Sequence, residues 1–149
     1  FLKKYAWQNY KLGWAVTYVA VDQASGEIHG FYSVSSGRVE VEELPEEIKG
    51  KEGIPGFPAP TVLIGQLGVD ARAQGKGLGK ALLVDAIKTA VDASDSVGVV
   101  AVEVHAASKS ARSFYEKYGF RALEDHPDHM FLSIEVCKSL LEHPKPAAT

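Results

Sequence analysis

The sequence contains a single cysteine, Cys137, among its 149 residues. One cysteine excludes an internal disulfide, and it also excludes a metal cluster built from several cysteines of one chain. No apolar run approaches the ~20 residues that cross a bilayer, and the amino end lacks a signal-peptide pattern. These absences predict a cytosolic protein.

The sequence also lacks a basic excess, since its formal net charge is −3. A domain that holds nucleic acid through its phosphates usually carries surplus Lys and Arg. Composition therefore gives no support to a nucleic-acid-binding role, although a local basic patch stays open. The length suits one domain with a sizeable core, and the hydrophobic content of 46% is ordinary for a soluble globular protein.

A glycine-rich segment between a strand and a helix is the most informative feature present. The apolar run 62–69 predicts a strand, and the residues from Leu78 onward predict a helix. The glycines and lysines of the joint are Gly75, Lys76, Gly77, Gly79 and Lys80. Glycine permits positive φ and leaves no Cβ between the N–H groups and a ligand. Because the first turn of a helix also has free N–H groups and the positive end of its dipole, the segment predicts a pyrophosphate-binding loop.

Two other phosphate-binding motifs are excluded by spacing. A P-loop needs Ser or Thr after its Gly-Lys to bind magnesium, whereas Lys80 is followed by Ala81. The dinucleotide fingerprint needs Gly-x-Gly-x-x-Gly, and the glycines here are spaced differently.

The pattern Gln74-x-x-Gly77-x-Gly79 after an apolar strand resembles the coenzyme-A loop of the GNAT superfamily of acetyl-coenzyme-A-dependent N-acetyltransferases. Residues 108–120, Ser-Lys-Ser-Ala-Arg-Ser-Phe-Tyr-Glu-Lys-Tyr-Gly-Phe, are similar to the second signature of that family, a helix that bears Phe-Tyr and ends in Gly-Phe. The resemblance covers about residues 18–134. It implies that the chain is an enzyme, an acetyltransferase with acetyl-CoA as cosubstrate.

The resemblance also implies an α/β (α+β) fold of the GNAT type. Its central sheet is mixed and mostly antiparallel, contains two splayed parallel strands, here residues 61–69 and 97–104, and is flanked by helices. We expect one domain over residues 1–149 that lacks the first strand and helix of the family, with a flexible tail at 142–149.

Local patterns predict further elements. Residues 1–10 suit a helix, and 14–21 with 27–35 suit an antiparallel hairpin. Residues 39–44 extend a strand, after which the prolines at 55, 58 and 60 predict a stiff connector and exclude a central strand. The helix from residue 78 is expected to bury its apolar positions, which are Leu82, Leu83, Ala86, Ile87 and Ala90. Ser108 suits the N-cap of the next helix, and Gly119 suits its C′ position.

The resemblance assigns the coenzyme to the strand end, the glycine-rich loop and the next helix cap. The residues concerned are Leu67, Gly68, Val69, Arg72, Gln74, Gly75, Lys76, Gly77, Leu78, Gly79, Lys80 and Ser108. It implies that the backbone of Leu67 and Val69 pairs with the pantetheine arm. The Val69 N–H then acts as an oxyanion donor to the thioester carbonyl.

Tyr115 matches the general acid of the family, and its ordinary pKa of about 10 lies close enough to the ~8.5 of a thiol for proton donation. The alternative is that Tyr115 only packs in the core beside Phe114. Candidate bases are Glu103, His105 or an ordered water chain. No metal site is expected, because the His-x-x-His pair formed by His126 and His129 lacks a third ligand.

A finer resemblance is to the acetyltransferase toxins of bacterial toxin-antitoxin modules, carried by residues 64–70, Ile-Gly-Gln-Leu-Gly-Val-Asp, and 104–106, Val-His-Ala. That subgroup acetylates the α-amine of aminoacyl-tRNA, so aminoacyl-tRNA, an antitoxin and a homodimer are the implied partners. Two features depart from the subgroup, Gln66 in place of Arg and the acidic segment 36–60. A compensating basic patch would comprise Lys3, Lys4, Lys11, Arg72 and Lys76.

Two other functions stay open at this point. The enzyme alternative acetylates a small-molecule or protein amine. The non-enzymatic alternative binds coenzyme A as a sensor module, in which case Tyr115→Phe would leave its function intact.

Overall fold

A computed structural model describes residues 4–49 and 57–142. In chain order its elements are α1 (Ala6–Leu12), β1 (Val16–Val21), β2 (Ile28–Val39), α2 (Glu46–Lys49), β3 (Ala59–Val69), α3 (Leu78–Ser94), β4 (Ala101–His105), α4 (Lys109–Lys117), β5 (Arg121–Ala122), β6 (His129–Ser133) and α5 (Ile134–Glu142), with 3-10 turns at Val41–Glu43 and Ala71–Ala73. The expected tail after residue 142, Lys3 and Pro55 lie outside the described residues. Within the described ranges, no helix is long and apolar enough to cross a membrane.

The strands form one six-stranded sheet in the order β1-β2-β3-β4-β6-β5. Every neighbouring pair is antiparallel except β3 and β4, which run parallel. The expected mixed, mostly antiparallel sheet with flanking helices is therefore confirmed.

The parallel strands β3 and β4 separate partway along their length. Their pairing runs from Thr61 opposite Ala101 to Ile64 opposite Val104, after which β3 continues to Val69 paired with β2 alone. Gly65 is the extra residue of a bulge, because Ser33 faces Gln66 while Val34 faces Ile64. A bulge bends the strand that carries it. A gap through the sheet consequently opens between the end of β3 and His105.

The two faces of the sheet differ in character. One face packs on α3, α4 and α5, and α3 buries its predicted residues Leu82, Leu83, Ala86, Ile87 and Ala90 against it. The other face carries a smaller apolar cluster of Val39, Leu44, Ala59 and Phe131. Thr61 and Glu103, which are buried and polar, lie near this cluster, because Glu103 stands opposite Phe131 and accepts from the Thr61 hydroxyl.

Three sequence predictions about the strands are wrong. The strand predicted at 97–104 begins only at Ala101, and Val97 is 61% exposed. Pro60, expected to be excluded from a central strand, is the second residue of β3. Both errors have one cause. The backbone carbonyl of Pro60 points toward β4 and accepts from the Val100 N–H at 2.9 Å. Since proline has no N–H to continue this ladder, the parallel pairing starts at Thr61, and β4 begins only after Val100.

The third error concerns residues 39–44. Strand β2 ends at Val39, and the chain then turns through Val41–Glu43. Leu44 is buried in the smaller apolar cluster, so the segment folds back over the sheet instead of extending the strand.

Candidate active site

The glycine-rich loop begins with a tight turn at the end of β3. The Asp70 carboxylate accepts from the Arg72 N–H at 2.9 Å, and the Asp70 carbonyl accepts from the Ala73 N–H at 2.8 Å. Gly75 and Gly77 both have φ of 80°, a left-handed conformation that a side chain would strain. A Cβ at either position would meet nothing within 4 Å, so the space over the loop is open.

This loop contains a row of backbone donors that have no backbone partner among the described residues. Across residues 57–142, the N–H groups of Gly75 to Gly79 have no backbone acceptor, and α3 starts directly behind them at Leu78. Lys76 is exposed at the tip, and Lys80 is half-buried in the first turn of the helix. Such an arrangement fits a pyrophosphate, which needs convergent N–H groups and positive charge.

The backbone of Val69 and Leu67 faces the gap between β3 and β4. The Asp70 N–H donates to the His29 carbonyl at 2.8 Å, and Gly30 stands opposite Val69, which makes Val69 a non-hydrogen-bonded partner of β2. Hydrogen-bonded pairs alternate along an antiparallel ladder, so Leu67 has the same orientation. Their N–H and C=O groups thus point away from β2. The Gln74 side-chain amide donates to the Val69 carbonyl at 3.2 Å and ties the loop to this strand end.

Two predicted coenzyme residues are engaged within the protein. The Arg72 guanidinium lies 3.2 Å from Asp70 and 3.9 Å from Glu27, and its hydrogen bonds hold the pKa of the Asp70 carboxyl below its usual range. The Ser108 hydroxyl accepts from the Ala111 N–H at 3.1 Å and caps α4 as expected. Their coenzyme contacts stay predictions.

Tyr115 lies on α4, on the same face of the sheet as α3. It is buried, with the rings of Phe114 and Phe120 each 5.3 Å from its own. Burial raises the pKa of its phenol, which keeps the hydroxyl protonated at neutral pH. Within residues 4–49 and 57–142 this hydroxyl has no hydrogen-bond partner, so it is a donor available to another group.

The two candidate bases lie together on the opposite face. Glu103 is only 4% exposed and accepts a hydrogen bond from the Thr61 hydroxyl. The other oxygen of its carboxylate lies 3.0 Å from His129 Nε2 and 3.9 Å from His105 Nε2, and the two imidazoles stack with centroids 4.2 Å apart. His105 is the first β4 residue beyond the last β3–β4 pair, so this cluster borders the gap.

Sequence reasoning missed the place of His129 in this cluster. It paired His129 with His126, three positions earlier, whereas the structure pairs His129 with His105 across β4 and β6. The register of these strands is the only indication of that contact, and a single sequence does not display it.

A glycine-rich loop with exposed N–H donors that leads into an open-sided extended strand suits a carrier with a pyrophosphate and a long acyl arm. The site thus defines an acyl-coenzyme-A-dependent transferase. Residues 58–129 match the model of the acetyltransferase (GNAT) domain.

Known proteins are similar to this chain over nearly its whole length. The tRNA-acetylating toxin of Mycobacterium tuberculosis (strain ATCC 25618 / H37Rv) is 35% identical over 141 residues, which are 95% of this chain and 82% of the toxin. Among solved structures, a tyrosine-to-phenylalanine mutant of KacT has a TM-score of 0.86 at 26% identity, covering 94% of this chain and 83% of its own. The structure of AtaTR bound with AcCoA has a TM-score of 0.79 at 26% identity, covering 95% and 83%. The present chain belongs to the GNAT acetyltransferase family, which uses acetyl-CoA as cosubstrate.

Proposed function

We propose that this enzyme transfers the acetyl group of acetyl-CoA to the α-amine of aminoacyl-tRNA and acts as the toxin of a toxin-antitoxin module. The observation that carries the proposal is the gap between β3 and β4, which is bordered on one face of the sheet by a carboxylate–imidazole cluster. The helices on the other face carry the buried Tyr115. The acceptor class rests on the 35% identity to a tRNA-acetylating toxin.

The opposite placement of these groups suits direct transfer. An α-amine has a pKa of about 7.7–8.0, so a substantial fraction is neutral at cytosolic pH and a strong base is unnecessary. The amine attacks the thioester carbonyl from the Glu103 side, and the cluster accepts the proton that the nitrogen loses. The carbon–sulfur bond breaks as the new amide forms.

Two further groups stabilise the reacting atoms. The Val69 N–H faces the gap and donates to the carbonyl oxygen as negative charge develops there. Tyr115 donates its proton to the departing thiolate on the helix-covered face. Gly75 to Lys80 hold the pyrophosphate, so that the arm extends along Leu67 and Val69.

The surface of α1 offers a docking site for unpaired nucleotides. Trp7 is 69% exposed and stacks on Tyr10 with centroids 5.8 Å apart, and the Lys11 ammonium lies 6.0 Å from the Trp7 ring centre. Exposed aromatic faces beside lysines bind unstacked bases and the adjoining phosphates. Asp70 and Glu27 offset the charge of Arg72, so the expected basic patch depends here on Lys11 of α1 and on Lys4 just before that helix. Both proposed substrates are cytoplasmic, and we place the enzyme there.

The test is release of free thiol from acetyl-CoA with a panel of acceptors: charged tRNA, uncharged tRNA, small amines and peptides. We expect release with charged tRNA alone. Tyr115→Phe should lower kcat by about 10²–10⁴-fold, the usual share of a general acid. Tyr118→Phe, at the C-cap of the same helix and half-buried against Phe114, is the matched control and should stay near the parent rate.

Each other outcome contradicts a stated part of the proposal. Release with an amine or peptide but not with charged tRNA would keep an acetyltransferase and reject the toxin. Binding of coenzyme A with no turnover on any acceptor would support a sensor module instead.

A further inference from the structure

We propose that Glu103, His105 and His129 form a binding site for a divalent transition-metal ion of the zinc class, and that occupancy of this site blocks acetyl transfer. The blocking effect rests on the proposed function. The site itself rests on geometry alone.

The three ligand atoms are already close to a metal-binding arrangement. All lie within 4.8 Å of one another, with His129 Nε2 at 3.0 Å and His105 Nε2 at 3.9 Å from the same Glu103 oxygen. Bonds of about 2.0–2.2 Å in a tetrahedral zinc site place ligand atoms roughly 3.3–3.5 Å apart. The two distances to the Glu103 oxygen bracket this value. Because the imidazoles are stacked, at least one ring must turn so that both nitrogen lone pairs point at the ion.

Rigid strands fix the positions of the ligands. His105 and His129 stand directly opposite each other on β4 and β6, and Glu103 lies two residues before His105 on the same face. The Thr61 hydroxyl donates to the carboxylate oxygen that does not face the imidazoles. A partner of this kind orients a ligand and is typical of the second shell of metal sites.

The site has one buried ligand and one ligand exposed to solvent. Glu103 is 4% exposed, whereas the His105 side chain is 62% exposed. A metal ion can therefore reach the cluster from solvent and keep water as its fourth ligand. Two imidazoles and one carboxylate favour Zn²⁺, Co²⁺ or Ni²⁺ over Mg²⁺ or Ca²⁺, which prefer oxygen ligands throughout.

Metal binding would remove the proposed proton acceptor. The lone pairs that bind the ion belong to the Glu103 carboxylate and the two imidazoles, the groups that border the gap. An occupied cluster can no longer take the proton from the attacking amine. We therefore expect zinc to inhibit acetyl transfer whether or not acetyl-CoA is already bound.

The direct test is titration of the purified protein with Co²⁺, read by its visible d–d absorption, followed by displacement with Zn²⁺. The parent should bind one Co²⁺ per chain. His105→Gln and His129→Gln should each bind at least about 10-fold more weakly, and Thr61→Ala about 10–100-fold more weakly through loss of the orienting bond. His126→Gln removes an exposed histidine three residues from His129 and should bind as the parent does.

His105 is the decisive position, because its side chain is 62% exposed and its replacement should cost less in folding than replacement of His129, which is 20% exposed. Absence of Co²⁺ absorption in the parent, or equal affinity in His105→Gln, would overturn the proposal. Zinc should inhibit acetyl transfer by the parent and by His126→Gln at the concentration that displaces Co²⁺. If Co²⁺ binds but no tRNA is acetylated, the proposed function fails and the metal site stands. If tRNA is acetylated without Co²⁺ binding, the metal site alone fails.

Discussion

Gly37 on β2 is the position where one added carbon should damage both the fold and the site. A Cβ there would lie 2.5 Å from the Thr61 hydroxyl oxygen and 2.8 Å from a carboxylate oxygen of Glu103. Both distances are shorter than real Cβ contacts allow. The two side chains are buried and hydrogen-bonded to each other, so neither can move aside freely.

The expected cost of Gly37→Ala follows from these contacts. Overpacking a well-packed core costs about 1–3 kcal/mol. Breaking the Thr61–Glu103 bond leaves a buried acceptor unsatisfied and adds about 1–3 kcal/mol. Alanine gives the unfolded chain less conformational entropy than glycine does, which stabilises the folded state by about 0.4–1 kcal/mol. We expect a net loss of about 2–4 kcal/mol, which at a urea m-value of about 2 kcal/mol/M, the middle of the usual range, lowers the unfolding midpoint by about 1–2 M.

Urea unfolding followed by circular dichroism measures this loss. Gly98→Ala is the control, because the nearest atom to its added Cβ is 3.9 Å away, and it should change stability by no more than about 0.5 kcal/mol. Combining Gly37→Ala with Thr61→Ala removes the closest clashing atom, so the double variant should lose about 0.5–3 kcal/mol less than the sum of the single variants. An unchanged midpoint for Gly37→Ala would refute this view of the packing.

Two further predictions concern the loop and the buried thiol. Gly77→Ala places a side chain at φ of 80°, where the surrounding space is open but the backbone is strained by about 1–2 kcal/mol. This strain should raise the KM for acetyl-CoA roughly 5–30-fold with little change in kcat. A kcat defect with unchanged KM would argue against a role of this loop in holding the pyrophosphate. Cys137 is fully buried, and burial raises the pKa of its thiol to about 12, above the ordinary ~8.5. Its stabilising contribution is therefore complete at neutral pH and falls as the pH rises past about 8.5, because the unfolded chain ionises first. Cys137→Ala should flatten the decline of the urea midpoint between about pH 8.5 and 10, and an identical decline in parent and variant would count against this assignment.

Features set by local chemistry were predictable from the sequence. The glycine spacing at 75–79, the buried stripe of α3, the Ser108 cap and the positive φ of Gly119 each depend on a few neighbouring residues, and all are present in the structure. The separation of β3 from β4 was expected from the family resemblance. Its local cause, the bulge at Gly65, was not, because a bulge is defined by the partner strand as much as by its own residues.

Features set by strand register were not predictable. Pro60 fits into a central strand because its missing N–H faces the point where β4 has not yet begun. His129 reaches Glu103 because β6 pairs with β4, although β6 follows α4 and β5 in the chain. Both outcomes depend on which strands become neighbours. Hydrophobic periodicity reports the faces of one strand and carries no information about its neighbours.

The most direct test of the central claim is mass spectrometry of the amino acid released by mild alkali from charged tRNA after incubation with the protein and acetyl-CoA. We predict that the amino acid carries one acetyl group on its α-nitrogen, and that Tyr115→Phe greatly reduces this product. Recovery of unmodified amino acid while acetyl-CoA is consumed on a different acceptor would contradict the assignment of aminoacyl-tRNA as the substrate.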